Sequence, residues 1–187
     1  MNDWTQKRKV KHRYDLTAEM YNSRYSEEQE NKYIAALTYV KPTGLVLDLG
    51  CGTGLLFSHI TSTIKTIVGV DISKKLLVQA KEYARNMNNI SLVQADADNL
   101  PFRNNEFDTV YVFTVLQNMP EPFKTLLEAS RITKVDAMII ITGLKRVFSL
   151  KTLEQLVQSA GLYVVSINDD EKLKCFIAIS QKRSQNQ

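Results

Sequence analysis

The sequence predicts an α/β protein: an open, mostly parallel sheet with helices on both faces. Two observations carry that expectation. From residue 45 onward, short apolar runs alternate with amphipathic segments, the pattern of strands joined by crossover helices. The first such run, "LVLDL" at 45–49, leads directly into "GCGTG" at 50–54. Sheets of this kind take their ligands beyond the carboxyl ends of the strands, so bare backbone there marks a site.

The elements follow in order. Residues 12–40 read as helical: Tyr14, Ala18, Tyr21 and Tyr25 recur at helical steps, and Tyr33, Leu37 and Val40 resume the stripe after "SEEQEN". Pro42 and Gly44 stop that region. "LVLDL" is a buried strand and "GLLFSHITSTI" (54–64) a helix, followed by a strand at 66–71. Ser73 is placed to cap the next helix, whose apolar face is Leu76, Leu77, Ala80 and Ala84. Strands are expected at 90–96 and 107–116, the latter apolar enough to be covered on both faces. "PFKTLLEASRI" reads as a helix, 137–142 as a strand, and "SLKTLEQLVQSAG" as a helix ending at Gly161. The last strands, 162–168 and 174–180, are joined by the acidic "DDEK" in a hairpin-like connection, which makes the seventh strand antiparallel. The organisation expected is a helical cap or extension at 1–41, a sheet domain at 42–182 and a polar tail at 183–187.

Composition bounds the class. At 187 residues, with 44% hydrophobic and 24% charged side chains, the chain holds one core. No apolar run approaches the ~18 residues of a membrane span, and the basic N-terminus lacks the apolar block of a secretory signal. Cys51 and Cys175 lie too far apart to suggest a disulfide framework, so a cytoplasmic protein is expected. The net charge of +4 is unevenly spread: Lys7, Arg8, Lys9, Lys11 and Arg13 crowd one end, with Lys182 and Arg183 at the other. These read as solvated termini, with affinity for RNA or another polyanion as the alternative.

Asp71 ends the second strand, 21 residues after Gly50, where an acid can accept hydrogen bonds from ribose hydroxyls. A dinucleotide and a nucleoside fit that equally. Two details favour the nucleoside. The glycines fall as G-x-G-x-G with Leu at position 55, not as G-x-G-x-x-G, and Asp48 stands two residues before the first of them. A carboxylate there would repel a pyrophosphate but attract a cation, which disfavours a nicotinamide oxidoreductase.

"VLDLGCGTG", "VGVDIS", "QADADNLPF" and "FDTVYVFTVLQNMP", in this order and spacing, resemble the successive motifs of class I S-adenosylmethionine-dependent methyltransferases over roughly residues 42–180. The resemblance implies a Rossmann-like fold with S-adenosyl-L-methionine as cofactor. It implies that Asp48 and the backbone of Gly50, Cys51, Gly52 and Gly54 hold the methionine part, and Asp71 the ribose. Ile72 would pack on the adenine, Asp96 and Ala97 would meet its amino edge, and Phe113, Thr114 and Leu116 would floor the site beneath the methyl group. Two departures stand out. No Gly-Gly turn precedes the fifth strand, where "ITKVDAM" follows Arg131, and "QNMPEPF" lacks the Asn-Pro-Pro-Tyr pattern of adenine-N6 and glutamine-amide methylation.

No metal cluster, catalytic triad or activated cysteine is visible, and no catalytic residue is assigned; His59 reads as structural and His12 as a remote candidate base. The acceptor site is expected under the N-terminal helices, with Tyr14, Tyr21 and Tyr25 serving as aromatic lid or as packing. Thr114, Gln117, Asn118 and the segment with Lys145 and Arg146 complete it. The expected activity is methyl transfer from S-adenosylmethionine, leaning to an RNA or protein acceptor because of the basic ends. The alternatives are a small molecule such as a quinone precursor, or an inactive cofactor-binding module supporting a partner enzyme. An activating subunit is a further possible partner.

Overall fold

The structure, a computed structural model, describes residues 3–184. Seven strands form one sheet: β1 (Leu45–Leu49), β2 (Thr66–Asp71), β3 (Ile90–Gln94), β4 (Phe107–Val112), β5 (Thr133–Leu144), β6 (Leu162–Asn168) and β7 (Cys175–Lys182). Their order is β3-β2-β1-β4-β5-β7-β6. All pairings are parallel except those of β7, which runs antiparallel to β5 and β6. Strand order therefore reverses between β1 and β4, and their carboxyl ends open the crevice in which such sheets bind ligands.

Side-chain alternation assigns the two faces. Leu47, Leu49, Val110 and Val112 pack with helices α5 (Pro122–Ile132) and α6 (Leu150–Ser159). Val46 and Tyr111 pack on the other face against α2 (Tyr21–Tyr39), α3 (Phe57–Ile60) and α4 (Lys74–Tyr83). Each fully buried Leu, Ile or Val contributes roughly 1.5–3 kcal/mol. A one-residue slip of β1 would exchange Asp48 with Leu47 between the faces, so burial holds the register.

The N-terminal helices form the cap expected from the stripe, but helix begins at the first described residue: α1 (Asp3–Thr17), a 3₁₀ turn (Ala18–Met20) and α2. α2 joins the core through Tyr33 and Ala36. α1 has almost no apolar face; among its described residues only Lys7 is buried. Polar contacts dock it: Arg13 Nη2 donates to Asn118 Oδ1 at 2.8 Å, and Ser73 Oγ to Asp15 Oδ1 at 2.5 Å.

Four boundaries differ from expectation. The 54–64 helix shrinks to α3, because Ser58 and Thr63 hydroxyls bond the carbonyls of Leu55 and Ile60 and the turns close at i+3. β3 stops at Gln94, since the chain turns at Asp96 into a bridge with Asn99. β4 stops at Val112, because Thr114 takes φ +61 and the chain turns into a 3₁₀ segment at Leu116–Asn118. β5 begins at Thr133, directly after α5, and crosses the missing Gly-Gly turn with a register shift and a left-handed Asp136 (φ +63).

Candidate functional site

The glycine loop is drawn back over the sheet by its own backbone. Gly50 N and Cys51 N both donate to Val70 O, at 2.8 and 2.9 Å. That path needs left-handed residues: Gly50 has φ +78, and a Cβ there would fall 2.4 Å from Val115 Cγ2. Gly54 (φ +82) lies against the Phe57 ring in the same way. Asp71 Oδ2 accepts from Gly52 N at 3.0 Å and Oδ1 from Ser73 N at 2.8 Å, tying the loop to the start of α4. Ser73 itself caps α4 through Leu76 N, as its position predicted.

Two acids under this loop carry perturbed charge. Burial pushes Asp71 up to about 6 despite its backbone hydrogen bonds. Asp48 is raised to about 8, by burial first and then by the Asp71 charge. Its carboxylate makes no hydrogen bond or ion pair with the described residues. Beside it the Tyr111 hydroxyl is also buried without a partner.

A cleft of about 700 Å³ opens between this loop and α1. Gly50, Gly52, Asp71, Ile72, Asp96, Ala97 and Phe113 line it, together with Tyr14, Tyr21, Thr114 and Asn118. Asp48, Cys51, Gly54 and Leu116 do not reach its wall; they lie beneath or behind it. At the far end Lys7 Nζ lies 2.7 Å from Asp96 Oδ2 and also pairs with Asp98, which accepts from Thr125 Oγ1. Burial alone would lower the Lys7 pKa, but the two carboxylates outweigh it and hold the ammonium above its usual value.

A second, open groove of about 1740 Å³ adjoins the cleft. Tyr14, Tyr21, Thr114 and Asn118 belong to both; Tyr25 and Gln117 line only the groove. The tyrosine rings pack on one another, with centroids 6.1 Å (Tyr14–Tyr21) and 5.1 Å (Tyr21–Tyr25) apart. Burial raises the pKa of Tyr14 and Tyr21, so both hydroxyls are neutral donors at physiological pH. Thr114 Oγ1 is gripped from α2, accepting from Gln29 Nε2 at 3.3 Å and from the buried Lys32 Nζ at 3.2 Å, while Glu28 pairs Lys32 at 2.9 Å.

The remaining expectations divide. Cys51 and Cys175 are buried free thiols, raised in pKa chiefly by burial. His59 stacks against Tyr33, with centroids 5.6 Å apart, while His12 is exposed and lines neither cavity. Among the described residues no three His, Cys, Asp or Glu cluster as metal ligands, and no helix is long and apolar enough to cross a membrane.

The reading of the basic ends as solvated holds for Arg8, Lys9, Arg13 and Arg183, which are exposed, and is corrected for Lys7 and Lys182. Lys7 is buried in its ion pairs and Lys11 pairs with Asp15 at 2.7 Å. Lys182 Nζ donates to the carbonyls of Ser130 and Thr133 at the end of α5, and Arg183 lies 3.2 Å over the Tyr163 ring. Lys7, Gln29 and Lys32 are site residues that sequence reasoning missed. Their polar types in a charged helix looked like solvent-facing positions, and only docking buries them.

Fold and cleft together define a class I S-adenosylmethionine-dependent methyltransferase architecture. Residues 47–141, half of the chain, match the methyltransferase domain family, and the chain belongs to that family. S-adenosylmethionine is the cofactor that this match supports. The curated relatives matched include demethylmenaquinone methyltransferase of Staphylococcus saprophyticus, 38% identical over 104 residues, covering 54% of this chain and 45% of that protein. The chain thus spans about half the length of the curated relatives it matches. Among solved structures, a Haloferax volcanii methyltransferase in complex with the Trm112 methyltransferase activator superposes with TM-score 0.79 at 18% identity, covering 91% of this chain and 98% of that one. The 1,6-didemethyltoxoflavin-N1-methyltransferase of Burkholderia thailandensis, with 1,6-didemethyltoxoflavin and S-adenosylhomocysteine bound, gives 0.84 at 12%, covering 98% and 92%. At these identities the two structures share the fold.

Proposed function

We propose that the protein methylates a small aromatic acceptor seated in the groove beside the cofactor cleft. The observation that carries this is the shared wall: Tyr14, Tyr21, Thr114 and Asn118 face both spaces, so donor and acceptor would meet there. A wall of tilted tyrosine rings presents faces and edges to a planar ring, and the demethylmenaquinone relatives support the quinone-precursor class. The RNA or protein lean drew on the basic ends, of which Lys7 and Lys182 are committed to internal contacts, and the matched relatives lend it no support.

The cleft fits the cofactor. Its wall sets two carboxylates, Asp71 and Asp96, among the apolar Ile72, Ala97 and Phe113, a lining suited to ribose hydroxyls and a purine ring. Asp48 below the loop, raised to about 8, would give up its proton beside a cation and not beside a pyrophosphate, which favours the cation. When bound, S-adenosylmethionine supplies a sulfonium methyl: the acceptor's electron pair bonds the methyl carbon, the C–S pair stays on sulfur, and the acceptor's proton goes to solvent. We assign Asp71 to the ribose, Ile72 to one adenine face, Asp96 and the Ala97 backbone to its amino edge, and Phe113 to the floor. Gly50, Cys51, Gly52 and Gly54 supply backbone to the amino-acid end, with Asp48 as counter-charge beneath. The described part of 1–41 acts as the acceptor-side cap on the 42–182 cofactor domain; of the expected 183–187 tail, 185–187 lie outside the described residues. The buried free thiols accord with a reducing compartment, hence the cytoplasm.

The test is transfer from labelled S-adenosylmethionine into separately counted organic-extractable, RNA and protein fractions, with Asp71→Ala as blank. Label in the organic fraction is expected. Label confined to RNA or protein would overturn the acceptor class. No label, with S-adenosylhomocysteine still bound, would point instead to a missing activating subunit or an inactive module.

A further inference from the structure

We infer that the acceptor is an anion: a ring bearing a carboxylate or comparable acidic group, held by Arg24 and Arg146. This deepens the small-acceptor reading above and rests on it.

Charge lies unevenly around the groove. Its lining includes Arg13, Arg24, Lys145, Arg146 and Lys174 against one carboxylate, Glu28. Several of these cations are already engaged. Lys145 pairs with Asp169 at 2.7 Å, Lys174 with Glu28 at 3.0 Å, and Arg13 stacks over Tyr14 and donates to Asn118. Arg24 and Arg146 form no ion pair with the described residues; the one hydrogen bond of Arg24 among them goes to the Met20 sulfur, at 3.8 Å. A guanidinium is the side chain suited to bidentate capture of a planar carboxylate.

Two further features point the same way. The Gln117 amide lines the groove with both its nitrogen and its oxygen withdrawn from solvent and unpartnered, an uncommitted donor of the kind a polar ligand satisfies. Behind Thr114 stands the Lys32 ammonium, fully buried; its partner Glu28 is shared with Lys174. Two cations on one carboxylate leave the floor of the groove positive. Apolar lining is sparse there, with Leu144 and Val147 beside the tyrosines, so affinity for a neutral ring would rest on stacking alone.

The experiment is calorimetric titration of the protein, saturated with S-adenosylhomocysteine, with 1-hydroxy-2-naphthoate and with 1-naphthol, which share the ring and differ by the carboxylate. The carboxylate should bind about tenfold tighter or more, as a charge-assisted contact predicts. That advantage should shrink to about threefold or less in the Arg24→Ala/Arg146→Ala variant, whose substitutions are on exposed side chains, and on raising salt from about 50 to about 500 mM. Equal binding of the two compounds by wild type would overturn the anionic acceptor and leave the aromatic-acceptor reading standing. If neither compound bound while a short RNA did, both readings would fall.

Discussion

Lys7 Nζ, on a helix with almost no apolar face, lies 2.7 Å from Asp96 Oδ2, the acid assigned to the adenine edge. This contact and its companion to Asp98 close α1 over the cofactor cleft. Removing one partner of a buried ion pair typically costs about 3–5 kcal/mol, and the cleft's solvent access should bring this towards the lower end. Lys7→Met is therefore expected to destabilise the protein by about 2–4 kcal/mol near pH 8 in urea titration. Lys7→Arg, which keeps a cation between the two acids, should lose clearly less. An equal loss in both variants would mean that the charge of Lys7 contributes nothing to the docking of α1.

Asp48, pushed up to about 8, keeps its proton at neutrality, and Asp71, pushed up to about 6, keeps its own into the mildly acid range, where ordinary carboxylates have lost theirs. Because the folded state binds more protons than the unfolded chain, these groups lower stability as pH rises from about 4 through 8. A cationic ligand in the cleft favours their ionised forms, so S-adenosylhomocysteine, with its ammonium group, should bind more tightly as pH rises from about 6 to about 8.5. Asp48→Asn should flatten that dependence in calorimetric titrations. A flat wild-type profile would remove Asp48 from cofactor recognition.

Tyr21 stands between cleft and groove, its ring packed at a tilt against those of Tyr14 and Tyr25. Tyr21→Ala should weaken S-adenosylhomocysteine binding or turnover about tenfold, with a smaller effect on melting temperature, since α2 is anchored to the core elsewhere, by Tyr33 and Ala36. A large fall in melting temperature with unchanged affinity would assign the ring to packing.

Asp136 holds φ +63 on the exposed start of β5. Glycine reaches that region without the Cβ penalty, so Asp136→Gly should stabilise the protein by about 0.5–1 kcal/mol in denaturant titration. Destabilisation would show that the Asp136 side chain supports this turn.

The strands, their order of appearance and the glycine loop were legible in the sequence because each depends on local pattern. Apolar runs such as "VLDL" and "TIVGVD" can be satisfied only by burial, and the loop glycines take the left-handed conformations that side chains resist. Asp71 and Ser73 were legible for the same reason, one ending a strand and the other capping the helix that follows.

What the tertiary structure decided is the fate of polar side chains. Lys7, Lys182 and Arg183 read alike as surface charge, yet one is buried between two acids, one bonds the carbonyls at a helix end and one stacks on a ring. Gln29 and Lys32 became the support of Thr114 when α2 packed on the sheet, and Asp48 moved from the cleft wall to its underside by strand alternation. Hydrophobic burial is written in periodicity, which the chain carries along its length. An ion pair needs a partner at a particular place, and Lys7 meets Asp96 across 89 residues only because the fold brings α1 over the sheet.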